Sequence, residues 1–167
     1  MDLGWEGLGK ALKRLADVIE YDFHTEIIMG IAKWGVVPAV FLSFSFRVDF
    51  SPIKLSLRKN EVVVHDEPVW FVRPMADIKG QRVLLVDDFS VAVYTIEMPK
   101  DALLDIGTAA VRTATLAVYL VSIRPDYYAI ETNDCIISPW DKQVFNGLTW
   151  IMNLEYQEEI NKVEQGK

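Results

Sequence analysis

The chain has 167 residues, 51% of them apolar and 25% charged, which suits one globular domain with its own core and excludes a disordered segment. Its 17 basic and 24 acidic residues leave a net charge of -7, so no cationic excess is present to neutralise a phosphate backbone, and no nucleic-acid partner is expected. A single cysteine, Cys135, excludes an internal disulfide and fits a reducing compartment, so a cytoplasmic protein is expected.

In chain order, Met1-Asp2 is acidic where a secretory signal would be basic. Leu8, Leu12, Leu15 and Ile19 recur at helical spacing, with Lys10, Lys13, Arg14 and Asp17 mainly on the other side; an amphipathic helix is expected over 5–21. Ile27 to Phe46 is apolar for about twenty residues, the length of a membrane span. Gly30, Lys33, Gly35 and Pro38 interrupt it, so strand (26–31), tight loop (30–35) and helix (to about 46) fit better, and no membrane association is expected. Ile53, Leu55 and Leu57 alternate with polar residues as in a half-buried strand. Val62-Val63-Val64 and Val69-Trp70-Phe71-Val72 flank a turn-like stretch and read as a hairpin. Lys79-Gly80-Gln81 turns into the apolar strand Val83–Val86, which ends in Asp87-Asp88. A helix is expected over 95–106, with Pro99 near its first turn and Gly107 at its end. Strands follow at 113–121 and 127–131. From Asp141 onward Phe145, Leu148, Ile151 and Met152 suggest a C-terminal helical extension, residues 142–167. His24, His65 and Cys135 form no metal-ligand spacing, so no protein-built metal site is expected.

The order of elements is that of an α/β fold around a mostly parallel sheet flanked by helices. Such sheets bind ligands beyond the carboxyl ends of their strands. The strand-to-helix loops at 30–36 and 88–95 should then face one edge, bringing Lys33 near Asp87 and Asp88.

Three segments, in order, resemble the type I phosphoribosyltransferases of the xanthine-guanine and archaeal 6-oxopurine branch. Gly30-Ile31-Ala32-Lys33-Trp34-Gly35 is similar to the family's pyrophosphate loop, here Ala32, Lys33, Trp34 and Gly35. Val83 to Thr95 is similar to the motif that binds phosphoribosyl diphosphate (PRPP), in which Asp87 and Asp88 would hold the ribose hydroxyls and Thr95 would remain from the 5′-phosphate loop. Arg124-Pro125-Asp126 through Ser138-Pro139-Trp140-Asp141 resembles the small purine-binding hood, with Cys135, Ile136 and Trp140 at the base. The resemblance implies a phosphoribosyltransferase-like domain over 1–141, with hood 124–141, that ligates PRPP with Mg2+, a purine or a nucleotide, and forms a homodimer. The implied chemistry joins a purine nitrogen to the ribose anomeric carbon and releases pyrophosphate, with catalysis by positioning and by stabilising the leaving charge.

The chain departs from that pattern at several positions. Val91 stands where the family has the acid that handles the base's proton. Ala92, Val93 and Tyr94 replace the threonine, the glycine and the residue after it in the phosphate cradle. A β-branched residue resists positive φ and blocks close approach to an anion. Lys33 replaces an arginine and so lacks its bidentate fork, and Trp34 replaces a glycine. Cys135 stands where a base-stacking ring is usual, and Ala117-Val118-Tyr119-Leu120 offers no purine-reading lysine. The expectation is a protein derived from a purine phosphoribosyltransferase with classical activity weak or lost. The alternatives are an active enzyme with an atypical loop and a non-catalytic ligand-binding regulator or structural subunit.

Overall fold

A computed structural model describes residues 1–59, 62–63, 65, 68–90, 93–120 and 124–157, with backbone alone for 58–59, 62–63, 76, 90 and 93–95. The elements are α1 (Gly4–Asp22), β1 (Ile27–Ile31), α2 (Val36–Phe46), β2 (Asp49–Ser56), β3 (Arg58–Lys59), β4 (Val62–Val63), β5 (Val69–Val72), a 3-10 turn at Ala76–Ile78, β6 (Arg82–Ser90), α3 (Val93–Ile106), β7 (Ala110–Val118), β8 (Tyr127–Glu131), β9 (Gln143–Phe145) and β10 (Trp150–Met152). They cluster into two compact units, residues 12–132, and residues 1–11 with 133–167.

The larger unit holds a six-stranded sheet in the order β5-β2-β1-β6-β7-β8, parallel except for β5, which runs antiparallel on β2. β1 and the apolar half of β6 lie in the middle, and every side chain from Ile27 to Ile31 and from Val83 to Val86 is buried. Strands covered on both faces lose the polar alternation of half-buried ones, which is why these two segments read as continuous apolar runs. On one face Ile27, Met29, Ile31, Val83 and Leu85 pack with Ile96 and Leu103 of α3. On the other, Ile28, Leu84 and Val86 pack with Leu15 and Ile19 of α1 and Ala39 and Leu42 of α2. The expected amphipathic face of α1 is the buried one, and Lys10, Lys13 and Arg14 are exposed.

Several expectations need correction. β2 begins at Asp49, four residues before the apolar alternation starts, because its parallel partner β1 supplies the ladder from Ile27↔Asp49 onward. Pro52 is tolerated there, since β5 covers the other side of β2 only from Lys54. Among the described residues, the expected hairpin of 62–64 with 69–72 does not form; Val64 lies outside them. β4 pairs with β3, and β5 takes the longer edge of β2. α3 starts at Val93, so Pro99 lies inside the helix rather than in its first turn. β7 spans Ala110–Val118 rather than 113–121, and Tyr119 and Leu120 lie outside it.

In the smaller unit, the chain expected to be helical after Asp141 instead forms a hairpin of β9 with β10. The connecting Asn146-Gly147 decides the matter. Gly147 adopts φ +97°, and the Asn146 side chain accepts hydrogen bonds from the N–H groups of Leu148 and Thr149 at 3.0 and 2.9 Å. The spacing of Phe145, Leu148, Ile151 and Met152 therefore belongs to a turn and its flanks. Residues 154–157 are helical as expected, and residues 158–167 of the expected helix lie outside the described residues. The same unit ties Asp2 to Ile137 in an isolated parallel bridge, with Leu3 N–H donating to the Ile137 carbonyl at 3.2 Å and Ile137 N–H to that of Met1 at 2.9 Å. Among the described residues, no helix is long and apolar enough to cross a membrane.

Candidate functional site

The loop from Ala32 to Gly35 leaves the carboxyl end of β1 and enters α2 directly. Its ends are pinned by backbone. Ala32 N–H donates to the Ile53 carbonyl at 2.7 Å, and Gly35 N–H donates to that of Ile31 at 2.9 Å. The Ala32–Lys33 peptide is cis. Gly35 caps α2 without a side chain and is buried against the end of β6. A Cβ there would stand 2.6 Å from the Val86 carbonyl oxygen, 2.7 Å from Asp87 Cα and 2.8 Å from the Ile31 carbonyl oxygen. Gly30, within β1, is closed in by Ala39, whose Cβ would be 2.8 Å away, and by the Phe50 ring. The first expected loop is thus packed onto β6 at Val86 and Asp87. The first N–H groups of α2 open on the carboxyl edge of the sheet, where an anion is favoured.

Lys33 and Trp34 are the exposed part of the loop. The Lys33 ammonium sits over the Trp34 ring, 4.1 Å from its centroid. β6 runs on through Phe89 and Ser90 instead of ending at the acids as expected, so Asp87 and Asp88 lie within the strand, each 8% exposed. Asp88 N–H donates to Asp87 Oδ1 at 2.9 Å and Phe89 N–H to Asp88 Oδ1 at 2.8 Å, so each carboxylate is oriented by the next amide. Burial first, and then the charge of Asp88, push the Asp87 carboxyl well above the usual carboxylate range, while the Asp88 N–H holds it back. A buried acid pair of this kind is suited to receive hydroxyl donors or a cation. Among the described residues, no group of three metal-ligating side chains gathers anywhere.

Thr95 lies in the first turn of α3, and its side chain is outside the described residues, as are Val91 and Ala92 altogether. Val93 and Tyr94 are described only as helical backbone. Two aromatic residues that motif spacing does not single out border the carboxylates. Phe89, two residues after Asp87, meets Tyr119, just beyond β7, with ring centroids 6.5 Å apart. The signal available was the alternation of β6, which puts residues 87 and 89 on one face.

The expected hood does not fall in one unit: residues 124–132 belong to the larger and 133–141 to the smaller. Asp126 is structural. Its Oδ2 accepts from Thr113 N–H and Oγ1 at 2.8 and 2.9 Å, its Oδ1 accepts from Arg112 at 3.2 Å, and its own N–H donates to Thr113 Oγ1 at 2.9 Å, which locks β7 to the start of β8. Arg124 donates to Glu131 and, at 2.7 Å, to the Tyr128 hydroxyl. That pairing raises the guanidinium pKa and lowers that of the carboxylate. In the smaller unit Cys135 is half-buried, its carbonyl accepting from the Met1 amino group at 2.5 Å. Ile136 is buried there, and the Trp140 indole N–H is buried with no hydrogen-bond partner among the described residues.

Residues 5–147 match the family model of the phosphoribosyl transferase domain. No curated protein matches the chain in sequence. Among solved structures, a purine phosphoribosyltransferase from Pyrococcus horikoshii is similar over 89% of this chain and 97% of that one, at 29% identity and a TM-score of 0.74. A hypothetical protein from Neisseria gonorrhoeae, with bound ppGpp, covers 98% of this chain and 95% of its own at 20% identity and 0.70. A hypoxanthine-guanine phosphoribosyltransferase from Bacillus anthracis covers 77% and 79% at 23% and 0.64. Below a quarter identity, the last two speak for the fold alone.

Proposed function

The chain belongs to the phosphoribosyltransferase family, and on that premise we propose that it derives from a purine phosphoribosyltransferase, keeps a site for a phosphorylated ribose, and transfers it to a base weakly or not at all. One observation carries the binding half of this reading. Gly35 is packed onto Val86 and Asp87, which joins a loop of the pyrophosphate type to a pair of buried carboxylates. In this reading Asp87 and Asp88 accept the ribose 2′- and 3′-hydroxyls, and Ala32 to Gly35 with the start of α2 take the diphosphate. Thr95 is what remains of the 5′-phosphate loop. Cys135, Ile136 and Trp140 belong to the smaller unit and take no part in this reading.

Magnesium fits this arrangement as a companion of the substrate. It favours one or two carboxylates plus substrate phosphates over an all-protein cage, and Asp87 with Asp88 supplies two carboxylates and no third ligand. When bound with PRPP, it would neutralise the leaving diphosphate. The chain's own residues orient the ribose and exclude water around the buried acids.

The catalytic half is where the sequence is poor. Transfer forms the bond from base nitrogen to anomeric carbon, breaks the bond to the diphosphate oxygen, and frees a proton from the base. Val91 accepts no proton, and Ala92-Val93-Tyr94 supplies neither the threonine nor the glycine of a phosphate cradle. A second reading, a non-catalytic ligand-binding regulator, is favoured by those changes together with Trp34 in the diphosphate loop.

Calorimetry with magnesium PRPP, and nucleotide formation assayed with the common purines, test both halves. Saturable PRPP binding with turnover at least a thousandfold below that of an active purine enzyme is the expected result. Turnover in the ordinary range of enzymes, about 1–1000 per second, would overturn the loss of catalysis. Failure of the folded protein to bind PRPP would overturn the retained site. A soluble cytoplasmic homodimer is part of the proposal, and sedimentation reads its oligomeric state.

A further inference from the structure

The β9–β10 hairpin of the smaller unit buries none of its own side chains. No residue from Gln143 to Leu154 is buried, and Phe145, Leu148, Trp150 and Leu154 are 58%, 92%, 64% and 72% exposed. Phe145 and Trp150 face each other across the ladder, their ring centroids 5.8 Å apart and tilted by 57°. A two-stranded hairpin is marginal in water until its apolar side chains are covered. Exposed sheet edges are ordinarily blunted by charge or by proline. Here the run from Gln143 to Asn153 holds no Asp, Glu, Lys, Arg or Pro, and among the described residues β9 and β10 have no strand neighbour but each other. The family match ends at Gly147, inside the turn, so β10 and Leu154 lie beyond the matched domain.

We propose that this hairpin is the contact between two copies of the chain, each packed on the same hairpin of the other across a two-fold axis. The inference rests on the homodimer of the preceding reading and assigns its surface. Charge selects a second copy as the occupant. A two-fold contact brings a patch against itself, so any net charge within it repels. The chain carries -7, and its hairpin is a charge-free run that meets itself without that penalty. Aromatic residues at the centre and the absence of charge are also the composition of an interface core. Area agrees with this choice. An aromatic side chain offers about 150–250 Å² when fully exposed and a leucine somewhat less, so at these exposures the four side chains present roughly 500 Å² per copy. That is the larger part of the about 800 Å² that each partner gives to a standard interface, and Val144, Thr149 and the open strand edges adjoin it. A lipid surface suits the hairpin less well, because the run brings no Lys or Arg to the headgroups.

The test is sedimentation of the full-length protein over a dilution series, for wild type and for Leu148→Glu, Trp150→Glu and Phe44→Glu. Wild type should be a dimer at micromolar concentration. Leu148→Glu should weaken the dimer about tenfold or more, and Trp150→Glu about a hundredfold, since an aromatic anchor costs most and each substitution is made twice across the axis. Leu148 contributes almost no burial within one copy, so its variant folds as wild type does, which far-ultraviolet circular dichroism reads. Phe44, exposed on α2, is the control, and its variant should remain a dimer. If wild type is a dimer that neither hairpin variant weakens, the hairpin is the wrong surface and the homodimer stands. If wild type is a monomer, whether free or carried down with phosphatidylcholine vesicles, both are overturned.

Discussion

Gly35→Ala is the sharpest perturbation of the contact between the first loop and β6. Gly35 has φ -68° and ψ -9°, an ordinary helical conformation, so alanine meets no backbone strain there. At this N-cap position helix propensity gives alanine no advantage, since glycine is the better cap. Space decides against it further. The new Cβ would meet three backbone atoms at 2.6, 2.7 and 2.8 Å, where ordinary contact begins at 3.4 Å, and no side chain is present to swing away. The loop or the end of β6 must retreat by well over half an ångström. Overpacking of this kind costs about 1–3 kcal/mol, and a net loss of about 2 kcal/mol lowers the melting midpoint of a chain this size by roughly 5 °C. Gly9→Ala is the control: it lies inside α1 with nothing within 4 Å of the new Cβ, and should raise the midpoint by about 3 °C. Paired thermal melts, with magnesium PRPP titrated into each variant, measure both effects. Gly35→Ala should also bind PRPP at least tenfold more weakly. A variant that melts at or above wild type would refute the packing of the loop on Val86 and Asp87.

Asp87→Asn should be more stable than wild type at neutral to alkaline pH. The native carboxyl is pushed upward by burial, so its stabilising contribution is complete below the unfolded pKa and is lost as pH rises through the folded one. The gap between the two proteins should therefore close as pH falls to the ordinary carboxylate range, which melts across pH would reveal; the same variant should lose ribose 5-phosphate affinity. Asp126→Ala should cost about 1–3 kcal/mol in denaturant titrations, because it leaves the N–H of buried Thr113 without its acceptor. Its PRPP affinity should change little, since Asp126 is a clamp between strands. Arg47→Gly should stabilise by about 1 kcal/mol, as Arg47 ends α2 in the left-handed region at φ +57°; an unchanged midpoint would mean that the arginine has compensating contacts.

The parts of this fold that can be read in the sequence are those where local pattern and burial agree. Val83–Val86 and Ile27–Ile31 are apolar because both faces are covered, and that cover extends over Asp87-Asp88 and lapses at Ala32 and Phe89. The parts that cannot be read depend on a choice of partner. Val69–Val72 is equally plausible against Val62–Val64 or against β2, and only the length of the β2 edge decides. Helical spacing after Asp141 competes with Asn146-Gly147, and the turn chemistry wins. The site divides the same way. The carboxylates and the loop are continuous in sequence, whereas Phe89 and Tyr119 meet only through the register of β6 on β7. Pro99 inside α3 contradicts local propensity, and its burial is consistent with packing holding the helix in spite of it.

The fit of Gly30 and Gly35 has a consequence for how such a chain ages. Both glycines are enclosed by Ala39, Phe50 and the backbone of β6, with no ligand involved. Selection for folding alone is therefore sufficient to keep them, even in a lineage whose catalysis has been abandoned. Lys33 and Trp34, exposed between them, are under no such restraint. A glycine signature at this loop then records a tightly built scaffold, and the identity of the two residues it brackets is the more sensitive gauge of what the loop still binds.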